Sequence, residues 1–299
     1  MLKKVVFLVA DERQGSAIEK MKKNMGAEGE HVFYGSADDW EKEDMEECSK
    51  EDILFVTDSS IMLSELRQRG NYGIAFLHDH NRQEDFSGAS YAVTDIEDLE
   101  WGSLEKAYLR QAGKPWTILE TGRCLVRETM VEDVEEFYRI YAEPSITYYM
   151  EDLFPDPEDE REYVKNYIRE IYGFYGYGMW TILDRESNQI IGRAGLSWRE
   201  GFDVPELGFL TAVSHQRKGY AYEVCKAIVE YGENELGFQE IQALVRKENE
   251  ASVCLCRKLG FRWENEAVDR GIGYERFVKK RKYMDGEGKE VLPWQDILR

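Results

Sequence analysis

The stretch from residue 206 to residue 221 constrains the fold most, because a buried strand runs there through a short basic turn into an amphipathic helix. Apolar side chains after the turn recur at helical spacing, so the helix begins close to Tyr220. The first turn of a helix points unpaired N–H groups and the positive end of its dipole at the preceding loop. Gly219 leaves room for an anion to approach the backbone, and Arg217 and Lys218 add positive charge. The stretch therefore predicts a site that binds a diphosphate.

Length, charge and cysteine content narrow the function classes. The chain of 299 residues suits two domains with a hydrophobic core in each. Its 39 basic and 59 acidic residues give a formal charge of −20, which disfavours nucleic acids and anionic membrane surfaces and favours a cationic partner. No apolar run approaches the ~18 residues that span a membrane. Five scattered cysteines without zinc-ligand spacing indicate a reducing cytoplasm and no structural metal.

Residues 1 to 115 alternate short apolar runs with helical patterns, which predicts a small, mainly parallel α/β domain. His78 and His80 follow its last strand without an evident third metal ligand, so we expect surface-loop histidines there. The predicted elements are the strands Val5–Ala10, Ile53–Thr57 and Gly73–Leu77 and the helices Ser16–Asn24 and Ile61–Arg69.

Residues 52 to 77 resemble the later half of haloacid-dehalogenase-type phosphatase domains. The resemblance implies that Asp58, after its strand, helps to hold magnesium and that Asp11 matches the nucleophile after the first strand. Arg13 stands where that family has its second aspartate, the acid/base group. A receiver-like domain also places acids after these strands, but the spacing from Asp58 to the next strand is too short for it. We therefore predict a degenerate, non-catalytic α/β scaffold.

The alternation of strands and helices ends at Gly113 and Pro115, which mark a linker. A second domain begins after them. Its elements around the opening stretch are predicted from apolar periodicity and turn signals. They are the strands Cys124–Glu128, Gly178–Leu183, Gln189–Leu196, Ile241–Val245, Phe261–Val268 and Tyr274–Val278, with the helices Asp133–Ala142, Glu158–Tyr172 and Glu250–Leu259.

Two segments of this domain resemble the GNAT superfamily of acetyl-CoA-dependent N-acetyltransferases. The segment Gln216–Ala221 fits the Q/R-x-x-G-x-G/A pyrophosphate loop, and Asn249–Phe261 fits the later N-x-x-S/A … G-F segment. Order and spacing agree across residues 118 to 282, and the ribosomal-protein-type alanine N-acetyltransferase branch is the most similar. The resemblance implies a GNAT fold there, an α+β domain with a mixed central sheet, followed by a C-terminal tail at residues 283 to 299.

The resemblance further implies a site for acetyl-CoA as co-substrate, with no metal. In this family the amine attacks directly and no acyl-enzyme forms. Free backbone groups of a splayed strand would hold the pantetheine arm against Ile241–Val245. The residues implied for the cofactor are Leu210, Thr211, Ala212, Val213, Gln216, Arg217, Lys218, Gly219, Tyr220, Ala221 and Asn249.

Three residues are candidates for proton transfer. Glu206 lies on the strand that would present the thioester, and it is either the general base that deprotonates an ammonium acceptor or a solvated strand-end acid. Many relatives have a tyrosine at the position of Cys256, so the usual acid is missing. Ser252, one turn earlier, is the alternative to the Cys256 thiol as general acid.

The acceptor is predicted to be a cationic primary amine, either a small molecule or a peptide or protein N-terminus. The aromatic segments Tyr148–Met150 and Tyr172–Gly178 either line its pocket or belong to the core and a hinge. A homodimer is compatible with this interpretation. Two alternatives stay open: a non-catalytic acetyl-CoA-binding regulatory module, which a plugged cleft would favour, and a bifunctional protein with a phosphatase-like N-terminal domain.

Overall fold

A computed structural model of the chain describes residues 1–40, 48–281, 283–284 and 290–291. The chain divides into two compact units, Met1–Trp116 and Thr117–Arg299. Most of the predicted tail at 283 to 299 lies outside the described residues. Within the described ranges, no helix is long and apolar enough to cross a membrane.

The first unit is a five-stranded parallel sheet with helices on both faces, as the sequence predicts. Val5 and Phe7 pack on one face with the first and last helices, whereas Val6 and Leu8 pack on the other face with the third helix. Burial of both faces explains why the strands are continuous apolar runs. The sheet has the order β2-β1-β3-β4-β5, with β1 Lys4–Leu8, β2 Val32–Tyr34, β3 Ile53–Thr57, β4 Tyr72–Phe76, β5 Ala92–Val93 and the helices α1 Gly15–Asn24, α2 Ala37–Trp40, α3 Ser60–Gln68 and α4 Trp101–Gln111.

The second unit is built on an eight-stranded mixed sheet, also as predicted. Its order is β12-β13-β11-β10-β9-β8-β7-β6, and only the pairing of β10 with β11 is parallel among the ladders of this sheet described here. The strands are β6 Thr117–Glu120, β7 Cys124–Glu128, β8 Met179–Asp184, β9 Ile190–Ser197, β10 Glu206–Thr211, β11 Glu240–Val245, β12 Arg262–Asp269 and β13 Ile272–Lys280, followed by a two-stranded ladder of β14 Tyr283–Met284 and β15 Glu290–Val291. The helices are α5 Val134–Tyr141, α6 Pro144–Thr147, α7 Pro157–Tyr167, α8 Gly173–Tyr175, α9 Tyr220–Asn234 and α10 Glu250–Lys258.

Strand β10 presents its alternate side chains to two different layers. Leu207 joins the main core with α9 and α10, whereas Leu210 packs in a smaller cluster with Phe137 of α5. Because side chains alternate along a strand, Glu206 and Gly208 share the face of Leu210. We call this side, on which Leu210 packs against Phe137, the α5 face of the sheet.

Candidate active site

Strands β10 and β11 separate soon after they begin. They form one ladder pair, Glu206 with Gln242, whereas β10 pairs with β9 along its whole length and β11 pairs in the same way with β13. Beyond Glu206 the edge of β10 that faces β11 therefore carries backbone groups without a strand partner among the described residues. Because the Ala212 N–H donates to the Ile191 carbonyl at 2.8 Å, alternation turns the backbone groups of Leu210 toward β9 and those of Phe209 and Thr211 toward the gap.

The loop after β10 presents a run of free backbone donors. The N–H groups of residues 217 to 222 donate no hydrogen bond within the described part of the chain, and the first engaged donor is that of Glu223, to the Gly219 carbonyl at 3.1 Å. Arg217 and Gly219 both have positive φ angles, +58° and +86°. Such turns aim successive N–H groups into one concavity. Together with the exposed Lys218, the loop suits an anion with two phosphate groups.

Arg123 holds this loop in place and was not predicted from the sequence. Its guanidinium donates to the Lys218 carbonyl at 3.0 Å and, through Nε, to Glu223 of α9 at 2.8 Å. It also stacks on the ring of Tyr220, 4.2 Å from the ring centre. Arg123 lies about a hundred residues before the loop, so no local pattern could connect the two.

The other residues predicted for the cofactor lie at the end of β10 and in the segments that follow β10 and β11. The side-chain amide of Gln216 donates to the Thr211 carbonyl at 3.1 Å and so closes the loop onto the end of β10. Asn249 caps α10, because its Oδ1 accepts the N–H of Ser252 at 3.1 Å. Ala212 and Val213 follow the free edge of β10, and Val213 is exposed.

Glu206 is buried at the start of the gap and is paired with Arg199. Arg199 donates to both oxygens of Glu206, at 2.5 and 3.2 Å, and to Oδ2 of Asp269 at 2.6 Å. Burial raises the pKa of Glu206, and Arg199 acts against this by lowering it. Arg199 and Asp269 were missed from sequence, although the short β9–β10 connection places Arg199 beside the start of β10.

Ser252 and Cys256 lie one turn apart on α10 in different surroundings. Cys256 is fully buried in the main core near Cys225, and burial raises the pKa of its thiol to about 12. Ser252 lies in the first turn of α10 and is partly exposed. A core thiol is a poor proton donor to a bound ligand, so Ser252 is the better placed of the two candidates.

The predicted acceptor-side aromatic residues divide between core and surface. The hydroxyl of Tyr172 accepts the N–H of Thr129 at 3.1 Å and donates to the Met179 carbonyl, and this ring is buried. Phe174 and Tyr148 are exposed by 81% and 72%. The core alternative therefore holds for Tyr172, and a place in the acceptor pocket stays a prediction for the exposed residues.

In the first unit, Asp11, Asp58 and His78 meet at the carboxyl edge of the sheet. Asp58 accepts the N–H of Ala10 at 2.8 Å and that of Asp11 at 3.0 Å, and His78 Nε2 lies 3.3 Å from it. The prediction of a surface-loop histidine is wrong for His78, because its side chain is only 8% exposed beside these carboxylates. Within the described residues, no group of three or more His, Cys, Asp or Glu is arranged to hold a metal ion.

The chain is similar to known proteins over about half of its length. Residues 123 to 262 match the family of the acetyltransferase (GNAT) domain. The chain is 30% identical over 160 residues to the uncharacterized N-acetyltransferase YoaA of Bacillus subtilis (strain 168), covering 53% of this chain and 89% of that protein. It is 29% identical over 143 residues to the uncharacterized protein YkkB of the same organism, covering 46% and 82%.

The chain is also similar to the solved structure of an acetyltransferase (GNAT family) from Bacillus anthracis. That structure is 22% identical, covers 54% of this chain and 95% of its own, and superposes with a TM-score of 0.45. The resemblance of residues 1 to 115 to haloacid-dehalogenase-type domains stays a prediction.

Proposed function

Since this chain belongs to the GNAT acetyltransferase family, we propose that it transfers an acetyl group from acetyl-CoA directly to the primary amine of an acceptor. The chain is an acyltransferase, and its family uses acetyl-CoA as acetyl donor. The proposed acceptor is a small-molecule amine or a peptide or protein N-terminus. Its ammonium form is attracted by the formal charge of −20. The observation that carries the proposal is the gap between β10 and β11, which continues into the free donors of residues 217 to 222.

The residues around the gap fit acetyl-CoA. The loop donors together with Arg217 and Lys218 would hold the diphosphate, and the free edge at Phe209 and Thr211 would hold the amide-rich pantetheine arm. Gly219 suits the place where the backbone meets the diphosphate, because its φ of +86° is a conformation that other residues rarely adopt. When bound, acetyl-CoA supplies an acetyl group activated as a thioester.

Glu206 is the proposed general base for the acceptor amine. Its carboxylate, at the start of the gap, takes the ammonium proton directly or through a water, and its raised pKa brings it nearer to the pH at which it works. The hydroxyl of Ser252 is the proposed hydrogen-bond donor on the thiol side, with Cys256 as the second candidate. The ion pair between Arg199 and Glu206 is the observation that favours the alternative, a non-catalytic acetyl-CoA-binding module.

Turnover assays on the full chain separate the two candidates. Release of free thiol from acetyl-CoA is measured with polyamines, peptides with free N-termini and aminoglycosides as acceptors. We expect thiol release that depends on at least one of these amines. Tight binding of acetyl-CoA without amine-dependent release across the whole panel would instead support the regulatory module.

A further inference from the structure

A guanidinium without an acidic partner lies on the α5 face, one strand away from the gap. Arg193 is in β9, opposite Leu210 of β10 and Thr181 of β8. Its guanidinium stacks on Phe137 of α5, 4.5 Å from the ring centre. Its Nε is buried and has no hydrogen-bond partner within the described residues. A buried donor without an acceptor costs free energy, so a native structure that keeps one calls for an explanation.

Tyrosines surround the guanidinium of Arg193, and it donates a hydrogen bond to the hydroxyl of Tyr141. Burial raises the pKa of Tyr141, Tyr163 and Tyr167, and the guanidinium lowers the pKa of each, which places all three rings within its field. Tyr163 is 45% exposed, so solvent reaches this cluster from the side of α7. The cluster thus combines one permanent positive charge with neutral hydroxyl donors.

The buried acids nearby are bound to other partners. Asp133 accepts from Arg127 through both of its oxygens at 2.7 Å, and Glu160 accepts the N–H of Phe154 at 3.1 Å. Within the ranges that the structure describes, no carboxylate forms an ion pair with Arg193. Its charge is therefore not neutralised by the protein on this face.

Two glycines lie between Arg193 and Glu206 on this face, Gly195 buried against the backbone at the start of β8 and Gly208 partly exposed. Gly195 of β9 lies opposite Gly208 of β10, and alternation turns both toward the α5 face. Met179 borders them, with its sulfur 3.0 Å from where a Cβ of Gly208 would lie. Four residues of β10 separate the register of Arg193 from Glu206, which corresponds to roughly 13 Å along the strand. Arg193 and Glu206, which have opposite charges, thus lie at the two ends of the segment that contains Gly195 and Gly208.

We propose that Arg193 binds a carboxylate of the acceptor, so that the acceptor class is an amine that also carries a carboxylate. The inference rests on the proposed function, because it takes the amine of the acceptor to lie at Glu206. A guanidinium pairs with a carboxylate through two parallel hydrogen bonds, and the nearby tyrosine hydroxyls can donate to the same group. An amine without an acid gains nothing from this contact.

The test compares matched acceptors on the full chain. One series consists of ω-amino acids of increasing chain length, and the other of alkylamines of the same length without the carboxylate. We expect kcat/KM for the best amino acid to exceed that of its alkylamine by about 10-fold or more, the range for one hydrogen-bonded charge. Arg193→Met should bring this ratio close to one, mainly through KM, and Arg193→Lys should restore part of it. Arg185→Met, which removes an exposed arginine after β8, is the control and should leave the ratio unchanged.

The outcomes distinguish this inference from the proposed function. Equal kcat/KM for both series at every length would overturn the role of Arg193 while amine acetylation stands. A merely structural Arg193 would lower both series together in its variants and leave their ratio unchanged, which also contradicts the inference. If no amine is acetylated, calorimetric titration of the ω-amino acids decides: weaker binding to Arg193→Met than to wild type supports the site, and equal binding excludes it.

Discussion

At the scale of single residues, the pKa of Glu206 is shifted in opposite directions by burial and by a neighbouring cation. Burial raises its pKa and the paired Arg199 lowers it, with a net rise above the ordinary glutamate range. A general base acts in its deprotonated form, so turnover must fall as the pH drops through this pKa. The acid limb of the pH profile should therefore lie above the ordinary range of a glutamate.

Glu206→Gln should lower turnover by ~10²-fold or more, because it removes the proposed base while keeping the size of the side chain. Binding of acetyl-CoA should be unchanged, since the diphosphate loop lies at the far end of β10. The measurements are kcat across about pH 6 to 9 and the Kd of acetyl-CoA. Glu230→Gln, at an exposed position of α9, is the control. Rates equal to wild type throughout this range would remove the base assignment.

The variant Arg199→Met provides a second test of Glu206 as the general base. It takes away the cation that lowers the pKa of Glu206, so the acid limb should move to higher pH. If Glu206 only anchors the start of β10 through this ion pair, the variant would lose thermal stability and the limb would stay where it is.

At the scale of elements, the loop and its helix were predictable because their signals are local. Gly219, the amphipathic spacing after it and the cap at Asn249 can all be recognised within one turn or one helix. The gap between β10 and β11 depends on strand pairing, and Arg123 reaches the loop from distant sequence, so neither has a local signal. Arg199 is close to Glu206 in the sequence, but their ion pair depends on the antiparallel pairing of β9 with β10.

Element boundaries show the same contrast. The predicted strand Ile53–Thr57 was found with the same ends, because a buried parallel strand is a continuous apolar run. The short strands β2 and β5 and helix α4 were missed. The helix predicted from Glu158 to Tyr172 changes at Tyr167 into a π-helical turn, Ile168–Tyr172, where Tyr172 turns its hydroxyl toward the backbone of β8. Periodicity alone cannot detect that change of pitch.

Gly219→Glu should abolish acetyl-CoA binding at the loop. The change puts a side chain and a negative charge at the start of α9, at a positive φ of +86° and 3.4 Å from Arg123. Gly237→Glu is a matched control, because Gly237 also has a positive φ, +72°, but open space around it. Titration with acetyl-CoA should show lost binding in the first variant and near wild-type binding in the second. Unchanged affinity of Gly219→Glu would locate the diphosphate elsewhere.

In helix α10, Ser252→Ala should reduce turnover more than Cys256→Ala. The Cys256 thiol is buried with a pKa of about 12, so its loss should show as a lower free energy of unfolding, by about 1 kcal/mol. Ser252 is partly exposed in the first helical turn, where a hydroxyl can reach a ligand. Thermal unfolding and kcat are measured on both variants, and the reverse order of kcat would assign the acid to Cys256.

At the scale of the whole molecule, the two units differ in how much of their chemistry the sequence allowed us to predict. In the second unit, the loop was predicted from its own residues, and the mixed sheet from the resemblance to the GNAT superfamily. In the first unit, the parallel sheet was predicted, but the cluster at its carboxyl edge was not, because Asp11, Asp58 and His78 come from three different strand ends. Which strand ends lie side by side can be predicted only when the order of the strands in the sheet is known.

The first unit should have no phosphatase activity. Arg13, which stands in place of a second aspartate, donates to Asp11 at 2.7 Å and holds the pKa of that carboxyl at about 2. Asp58 is engaged by two backbone N–H groups and by His78, and the Arg13 guanidinium beside Asp11 cannot act as the acid/base group that phosphoester hydrolysis needs there. Hydrolysis of p-nitrophenyl phosphate with Mg²⁺ should stay at background for the full chain and for Asp11→Asn alike. Magnesium-dependent hydrolysis that Asp11→Asn abolishes would instead establish the bifunctional alternative.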